Sequence, residues 1–540
     1  MKGVLTLVGA TLALHLILIQ PNHPQAMTWD AFFLFPLELP AILFALVALS
    51  QSRASYIFRG VLTAALTLIA ILKLADLVSF NALARGFNPA ADLPLIDAFV
   101  RLLTGTLGPL LTGAAVVGAL LGAALLALLL WWATGVWSRV AVPRLVVRAS
   151  ALAAVLATGI AVAEVGSIMR GWTLPAAPPG AAFTARLGVE RVVMVRKTLA
   201  EMKSFRAAVQ QDPFADAPAL FEAIDRDVLV IFVESYGRTS LDTPFYAEVH
   251  RETLARYEAQ LSGLGLSMQS GILSAPTQGG QSWLSHATFA NGLWVDNQIR
   301  YGAVLSSGRE TLFHHAANNG FHTAAVMPQI TLDWPESERM GFDTVLAAAD
   351  LGYRGLAFNW VTMPDQFTLA VLDRKLRTGG QEQRLFAQVA LASSHAPWVP
   401  VPEILPWEAI GDGQIYNDVV TSGDPPEVVW RDRERVRAQY RHAVDYALRT
   451  VFEYAVLHAA DPPLMIVIGD HQAAEFIALD GRPDVPIHVI GPEHLVRPVA
   501  PTLPHRGLLP GDDVPVIAMD RMRDILLNAY SSPTQQWSTN

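Results

Sequence analysis

The sequence predicts an α-helical membrane domain of five spans followed by an extramembrane α/β domain. Three observations carry this. Apolar runs of bilayer length are confined to the first 170 of the 540 residues. Beyond residue 228, short apolar runs alternate with helical patterns, as in a mainly parallel sheet covered by helices. Two of those runs end in adjacent polar side chains, Glu234-Ser235 and Asp470-His471. In open α/β sheets, ligands bind beyond the carboxyl ends of the strands.

Composition narrows the function classes. The chain is 52% hydrophobic and only 16% charged, against roughly 25% charged in ordinary soluble domains. The net charge of −9 comes without a basic tract, so no nucleic-acid partner is expected. There is no cysteine, which excludes disulfides, cysteine–zinc sites and thiol nucleophiles.

A helix needs about 20 apolar residues to cross a bilayer. The stretches 3–20, 31–50, 57–79, 108–137 and 149–168 meet that length. The first is read as a retained span, because Gln20-Pro21-Asn22-His23-Pro24 follows it instead of a small-residue cleavage site. Lys2, Arg53, Arg59, Arg139, Arg144 and Arg148 fall on one side of these spans, Arg85 and Arg101 on the other. The richer side is the cytoplasmic one, which places everything after Ile168 outside the cytoplasm. Lys73 and Asp76 share a helical face in the third span. They read as a lipid-headgroup contact, as an intrabundle ion pair, or as the sign of a span that ends earlier. The loop Arg85-Gly86-Phe87-Asn88-Pro89 carries no assignment.

The membrane domain thus covers 1–170, and a connector covers 171–227. Pro175, Pro178, Pro179 and Gly180 break the chain there, and 189–211 reads as a helix with five basic residues among apolar ones. It is expected either to lie on the membrane surface or to be a solvated helix packed on the α/β domain. The α/β domain spans 228–530, with strands at 228–233, 322–327, 384–392, 464–469 and 485–490. Helices are expected at 309–319 and 431–459. Pro486 near the start of the late strand suggests a sheet edge. The tail 531–540 is rich in Ser, Thr, Pro and Gln and is expected to be disordered.

The chemistry gathers at strand ends and one glycine turn. Gly279-Gly280 precedes Ser282 at the start of a helical stretch. A helix N-terminus offers free N–H groups to an anion, and a hydroxyl there attacks phosphorus once activated. Alternatively, Ser282 is a helix N-cap. Thr277 is a rival nucleophile, but it lies five residues before that start. Glu234, Asp470 and His471 supply oxygen and nitrogen ligands suited to Zn²⁺ or Mn²⁺. His395 ends a strand in Ser393-Ser394-His395-Ala396-Pro397-Trp398, and His488 is a candidate for a second metal. His286, His314, His315 and His322 read as structural.

Together these motifs resemble the alkaline phosphatase superfamily, in particular its membrane-anchored, sulfatase-like phosphotransferases: lipoteichoic acid synthases, related phosphoglycerol transferases and phosphoethanolamine transferases. The resemblance covers nearly the whole chain. It implies a sulfatase-like domain after five spans, in the bacterial cytoplasmic (inner) membrane, with the catalytic domain extracytoplasmic. It implies a phospholipid donor, a cell-envelope glycan or lipid acceptor, and a divalent metal. Carried over by position, the metal set is Glu234, Ser282, Asp470 and His471, with Ser282 the nucleophile where the synthases carry Thr. Ser285 fits the family spacing after it. His395 and Trp334 match substrate-binding positions, although the family's Trp-Asn-Arg stands here as Trp334-Pro335-Glu336. A phosphoethanolamine transferase is commonly disulfide-stapled, and this chain has no cysteine. A sulfatase needs Pro and Arg after its nucleophile, and Ser282-Trp283-Leu284-Ser285-His286 has neither. A hydrolase or phosphodiesterase of the same fold is the alternative function. A non-catalytic sensor or scaffold is the third, and the intact Glu, Ser, Asp and His speak against it.

Overall fold

The chain forms two units, Met1–Met202 and Lys203–Asn540. The structure, a computed structural model, describes residues 2–531 apart from 51, 84, 216, 218–219, 333, 360–361, 378–382 and 512. The expected disordered tail, beyond Ser531, lies outside the described residues.

The first unit contains helices α1 (Lys2–Ile19), α2 (Glu38–Ala48), α3 (Arg53–Leu83), α4 (Leu95–Ser138), α5 (Arg144–Arg170) and the start of α6 (Phe183–Val209). Four of them, α1, α3, α4 and α5, are long and apolar enough to cross a membrane. The expected span 31–50 differs: it is a 3₁₀ turn at Trp29–Phe33, an extended link and the 11-residue α2, about 16 Å long at 1.5 Å per residue. Pro36 is the physical reason. It disfavours helix at Phe35, and the link pairs with Ala181 instead: Leu37 N–H donates to Ala181 O, and Ala181 N–H to Phe35 O.

Polar groups tie one end of this bundle together. The C-terminal carbonyls of a helix lack intrahelical partners, and Lys73 Nζ donates to Ile17 O (3.3 Å) and Leu18 O (2.9 Å) of α1. Thr184 accepts from Lys73 at 3.0 Å and its own hydroxyl donates to Leu18 O. Glu38 Oε1, opening α2, accepts the N–H groups of Thr184 and Ala185. The end of α1, the start of α2, Lys73 of α3 and the start of α6 therefore meet at one level. Lys73 and Asp76 are not an ion pair with each other. Asp76 pairs with Arg191 of α6 and also accepts from Asn22 and Phe87 N–H. That buries one of the connector's basic residues, and the helix starts at Phe183, six residues earlier than expected. In α4 the chain kinks at Gly108 (φ 79°), just before Pro109, where the expected span begins.

The second unit is built on one mixed sheet. Its strands are β1 (Val228–Val233), β2 (Ser267–Ser274), β3 (His322–Met327), β4 (Thr344–Ala347), β5 (Leu385–Ala390), β6 (Leu464–Gly469), β7 (Asp484–Gly491), β8 (His505–Arg506) and β9 (Val516–Ala518). Their order is β4-β3-β5-β1-β6-β7-β2-β8, with β9 also on β2. From β4 to β6 all neighbours are parallel; β7 is antiparallel to both β6 and β2. So β7 is interior, not the expected edge. Its ladder with β6 stops at Ile487, so Pro486 lies past the last rung on that side, while on the other it stands opposite Ile272 of β2. Alternate residues of β1 enter opposite cores: Leu229, Ile231 and Val233 on one face, Val228, Val230 and Phe232 on the other, as a pleated strand buried on both sides requires. Around the sheet run α7 (Pro244–Gly263), α8 (Ser282–Asn291), α9 (Asp365–Leu372) and α10 (Arg433–Leu457). Tyr257 of α7, Leu369 of α9 and Tyr440 of α10 belong to the first core, Phe289 of α8 to the second.

Candidate active site

The central strands β1 and β6 run in register, Val233 opposite Gly469. The next residues, Glu234 and Asp470, therefore leave the sheet side by side. Gly469 permits this: a Cβ there would overlap the Tyr236 carbonyl oxygen. Ser235 adopts φ 57°, a left-handed conformation that costs a non-glycine residue about 1–3 kcal/mol and is typical of functional sites. The turn is held by Asp470 Oδ1, which accepts Ser235 N–H at 2.8 Å and His471 N–H at 2.7 Å.

Glu234, Asp470 and His471 are 4%, 2% and 2% exposed. Their ligand atoms lie within 4.8 Å of one another, the one such group of three among the described residues. His471 Nε2 stands 3.1 Å from Glu234 Oε1 and 3.9 Å from Asp470 Oδ1, without hydrogen-bond geometry to any partner. Its Nδ1 faces Gln472 O at 3.0 Å, so the ring donates there and leaves the Nε2 lone pair free.

Electrostatics point the same way. Burial raises a carboxyl pKa, but His471 outweighs it at Glu234 and holds that group below its ordinary value. Burial and the charge of Glu234 push Asp470 up to about 8. Burial lowers an imidazole, yet Asp470 and Glu234 carry His471 up to about 9. Two carboxylates in a dry site cannot both ionise cheaply. A divalent cation removes that cost by displacing the shared protons. The oxygen and nitrogen donors, the free lone pair and the charge balance fit such an ion.

Ser282 is the first residue of α8. Gly279 (φ 76°), Gly280 (φ 141°) and Gln281 (φ 68°) form the turn into it. Two of these angles suit glycine, which has no Cβ to clash. The turn is fastened to the Asp-His loop, since Gly279 N–H donates to Gln472 O at 2.8 Å. Ser282 Oγ then donates to Glu234 Oε2 at 3.1 Å. The N-cap position belongs to Gln281, and no side chain caps the helix, so Ser282 is not a capping residue. Thr277 is buried, 3.5 Å from Ser285 Oγ.

His395 follows β5 in a turn bonded to the back of the site: Ser394 Oγ donates to Glu234 O at 2.6 Å. Its ring is half-buried and close enough to affect Glu234 electrostatically. Asp365, opening α9, holds the same turn through the N–H groups of Ala392 (2.7 Å) and Ser393 (2.9 Å). Burial pushes its carboxyl up to about 6. Trp334 is in the loop after β3, also at the carboxyl edge, but its ring packs on Phe342 with centroids 6.2 Å apart and bonds Tyr301. The structure does not place it against the cluster. His488 is engaged at both nitrogens, by Tyr236 (3.0 Å) and Ser270 (2.8 Å), and burial lowers its pKa to about 3. It holds the sheet, not a second metal. His286, read as structural, lies on α8 one turn beyond Ser282, with its ring on Phe232 at 4.1 Å. It is within electrostatic reach of Glu234 and His471, and burial lowers its pKa to about 4. Its spacing of four from Ser282 was the available signal. Ser235, Asp365, Ser394 and Gln472 had none, because their roles depend on distant partners.

No family model matches the sequence, and no curated protein matches it. Among solved structures, the chain is similar to the lipoteichoic acid synthase LtaP from Listeria monocytogenes, at 14% identity and TM-score 0.32, over 60% of this chain and 81% of that one. It is similar to the phosphoglycerol transferase GacH of Streptococcus pyogenes in complex with sn-glycerol-1-phosphate, at 12% identity and TM-score 0.36, over 62% and 91%. It is also similar to the C-terminal periplasmic domain of EcEptC from Escherichia coli in complex with Zn, at 18% identity and TM-score 0.34, over 50% and 73%.

Proposed function

We propose that this chain is a membrane-anchored, divalent-metal-dependent phosphotransferase of the alkaline phosphatase superfamily. It moves a phospho-alcohol head group, of phosphoglycerol or phosphoethanolamine type, from a phospholipid to a cell-envelope glycan or lipid. One observation carries the reading: Ser282 Oγ, at the N-terminus of α8, meets Glu234 Oε2 at 3.1 Å beside the buried Asp470 and His471.

Glu234, Asp470, His471 and Ser282 would hold the ion, Zn²⁺ or Mn²⁺. Such an ion supplies Lewis-acid stabilisation of the serine oxygen and the phosphoryl oxygens. Glu234 Oε2 accepts the hydrogen bond of the Ser282 hydroxyl and draws its proton away from the attacking oxygen. The free N–H groups opening α8 face the phosphoryl charge. Ser282 Oγ bonds to phosphorus as the phosphorus–oxygen bond to diacylglycerol breaks, and the departing oxygen takes up a proton. The oxygen of an acceptor hydroxyl then bonds to the same phosphorus and gives up its proton as the phosphorus–Ser282 Oγ bond breaks, and Ser282 Oγ regains a proton. His395, half-buried beside Glu234, orients the phosphoryl group. Trp334 lines the approach from the rim. Water in place of the acceptor gives the hydrolase or phosphodiesterase alternative by the same two steps.

The membrane part supports a lipid donor. α1 ends, α2 begins and α3 passes Lys73 at one end of the bundle, so the path reverses at each helix even though α2 is short. Five passes put residues 228–530 outside the cytoplasm of a bacterial inner membrane, after the connector 171–227. Incubation of the full chain with phospholipid labelled in its head-group phosphate, followed by peptide mapping, tests the mechanism. Label is expected on Ser282. Label on Thr277, or product formed with no labelled residue, sinks it.

A further inference from the structure

The membrane unit encloses a second feature that the catalytic reading does not use. Between α2, α3, α5 and the start of α6 runs a groove of about 630 Å³. Its walls on α5 extend from Thr158 to Arg170, about 18 Å at 1.5 Å per residue. Ala41 and Ala45 of α2, Ala161 of α5, and Phe58 and Leu66 of α3 are among the apolar residues that line it. Empty apolar space of this size leaves wall atoms without contact partners, and in a helix bundle surrounded by hydrocarbon the available filler is an alkyl chain.

One end of the groove is polar. Glu38, Thr184, Arg170 and Trp172 line it. Arg170 is exposed and has no ion partner among the described residues. Glu38 is 8% exposed; its Oε1 accepts from Thr184 and Ala185, but its Oε2 has no hydrogen-bond partner. Trp172, 47% exposed, folds onto Gly166, where a Cβ would overlap its ring. Tryptophan favours the membrane–water boundary, which places this end at headgroup level. A cation and an unused acceptor at the mouth of an alkyl-sized groove match one kind of molecule: an amphiphile with a phosphate and an N–H or O–H donor beside its chains.

We propose that this groove is a specific phospholipid site. One acyl chain lies between α2 and α5, the phosphate meets Arg170, and the ammonium or hydroxyl of the headgroup donates to Glu38. The site stands apart from the catalytic reading, because no groove residue belongs to the Ser282 cluster.

The test uses the full chain in lipid nanodiscs, with phosphatidylethanolamine or phosphatidylglycerol carrying a photoreactive group on one acyl chain. Peptide mapping should find crosslinks within 38–48 and 158–170 that excess unlabelled phosphatidylethanolamine or phosphatidylglycerol abolishes. Phosphatidylcholine, with no headgroup donor, should compete poorly. Ala161→Trp and, separately, Ala45→Phe should each remove these crosslinks by filling the groove. Arg170→Gln, at an exposed position, should weaken competition about tenfold, the usual worth of a lost charge-assisted contact. Leu120, Leu121 and Leu128 of α4, exposed at 67%, 58% and 63%, should label in every variant as bulk contacts. Groove crosslinks that excess lipid does not suppress, or that survive both filling substitutions, overturn the proposal. So do equal competition by phosphatidylcholine and crosslinks between two copies of the chain at this face.

Discussion

Glu234 and Asp470 stand at the ends of adjacent strands in a dry site, and only a cation lets both stay ionised. Asp470→Ala is therefore expected to lose bound metal while the protein stays folded. Elemental analysis of the purified full chain, with and without chelator, checks this; metal retained by the variant would overturn the ligand assignment. The hydroxyls separate in the same way. Ser282 donates to Glu234, whereas Thr277 lies against Ser285. Ser282→Ala should abolish headgroup transfer and Thr277→Ala should leave most of it, measured as labelled product from phospholipid vesicles. Asp365 gives a pH effect. Its folded pKa of about 6 lies above the unfolded value of about 3.9, so the folded chain holds this proton where the unfolded chain releases it. That contribution to stability is complete below about pH 4 and is lost as pH rises through about 6. Asp365→Asn keeps an oxygen for the Ala392 and Ser393 N–H groups and removes the titration. Thermal unfolding of both proteins at pH 4.5 and 7 should show a smaller loss in the variant, a difference of about 2 kcal/mol, the part of the two-unit effect that falls between those pH values.

Elements position these groups through close backbone approach. β1 and β6 pair along their full length, and the Gly469–Tyr236 contact brings the two ligand loops together. Gly469→Ala forces those loops apart without touching a ligand. Metal affinity is expected to fall more than about tenfold, as when groups orienting metal ligands are lost, while membrane insertion and secondary structure persist. Unchanged affinity, read by metal titration, would show that the loops do not depend on this approach. The strands β1 and β6 were legible in the sequence as contiguous apolar runs, and β3 and β5 as mainly apolar runs broken by His322, Thr323 and Gln388. The interior place of β7 was not, because Pro486 lies opposite Ile272 in the β2 ladder and beyond the last pair of the β6 ladder, a placement that only the partner strands define. Strands β2, β4, β8 and β9 escaped for a related reason: they are polar or short, and their identity comes from what they pair with.

At the scale of the whole molecule, the path of α2 sets the topology. An 11-residue helix is shorter than a bilayer, yet its contacts reverse the chain between α1 and α3. The absence of cysteine makes a direct test possible. Gln25→Cys and Ser52→Cys, both at exposed ends of α2's flanks, should label from opposite sides of the membrane with an impermeant thiol reagent. A periplasmic reporter after Asn540 should be active. Labelling of both cysteines from one side would mean that α2 does not cross.

Local patterns alone determined the apolar membrane half and the α/β class, and they put forward Glu234, Ser282, Asp470 and His471 as candidates. Span length, strand ends and a glycine turn are all properties of contiguous residues. Tertiary structure alone decided which of several hydroxyls and histidines meet the cluster. Ser235 and Asp470 are 235 residues apart, and no local pattern records that their strands are neighbours. It also separated Lys73 from Asp76 by giving each a partner from another helix. It packed Trp334 on Phe342 and bound His488 into the sheet. Each outcome turns on what a side chain meets across the fold, which is set by packing and not by spacing along the chain.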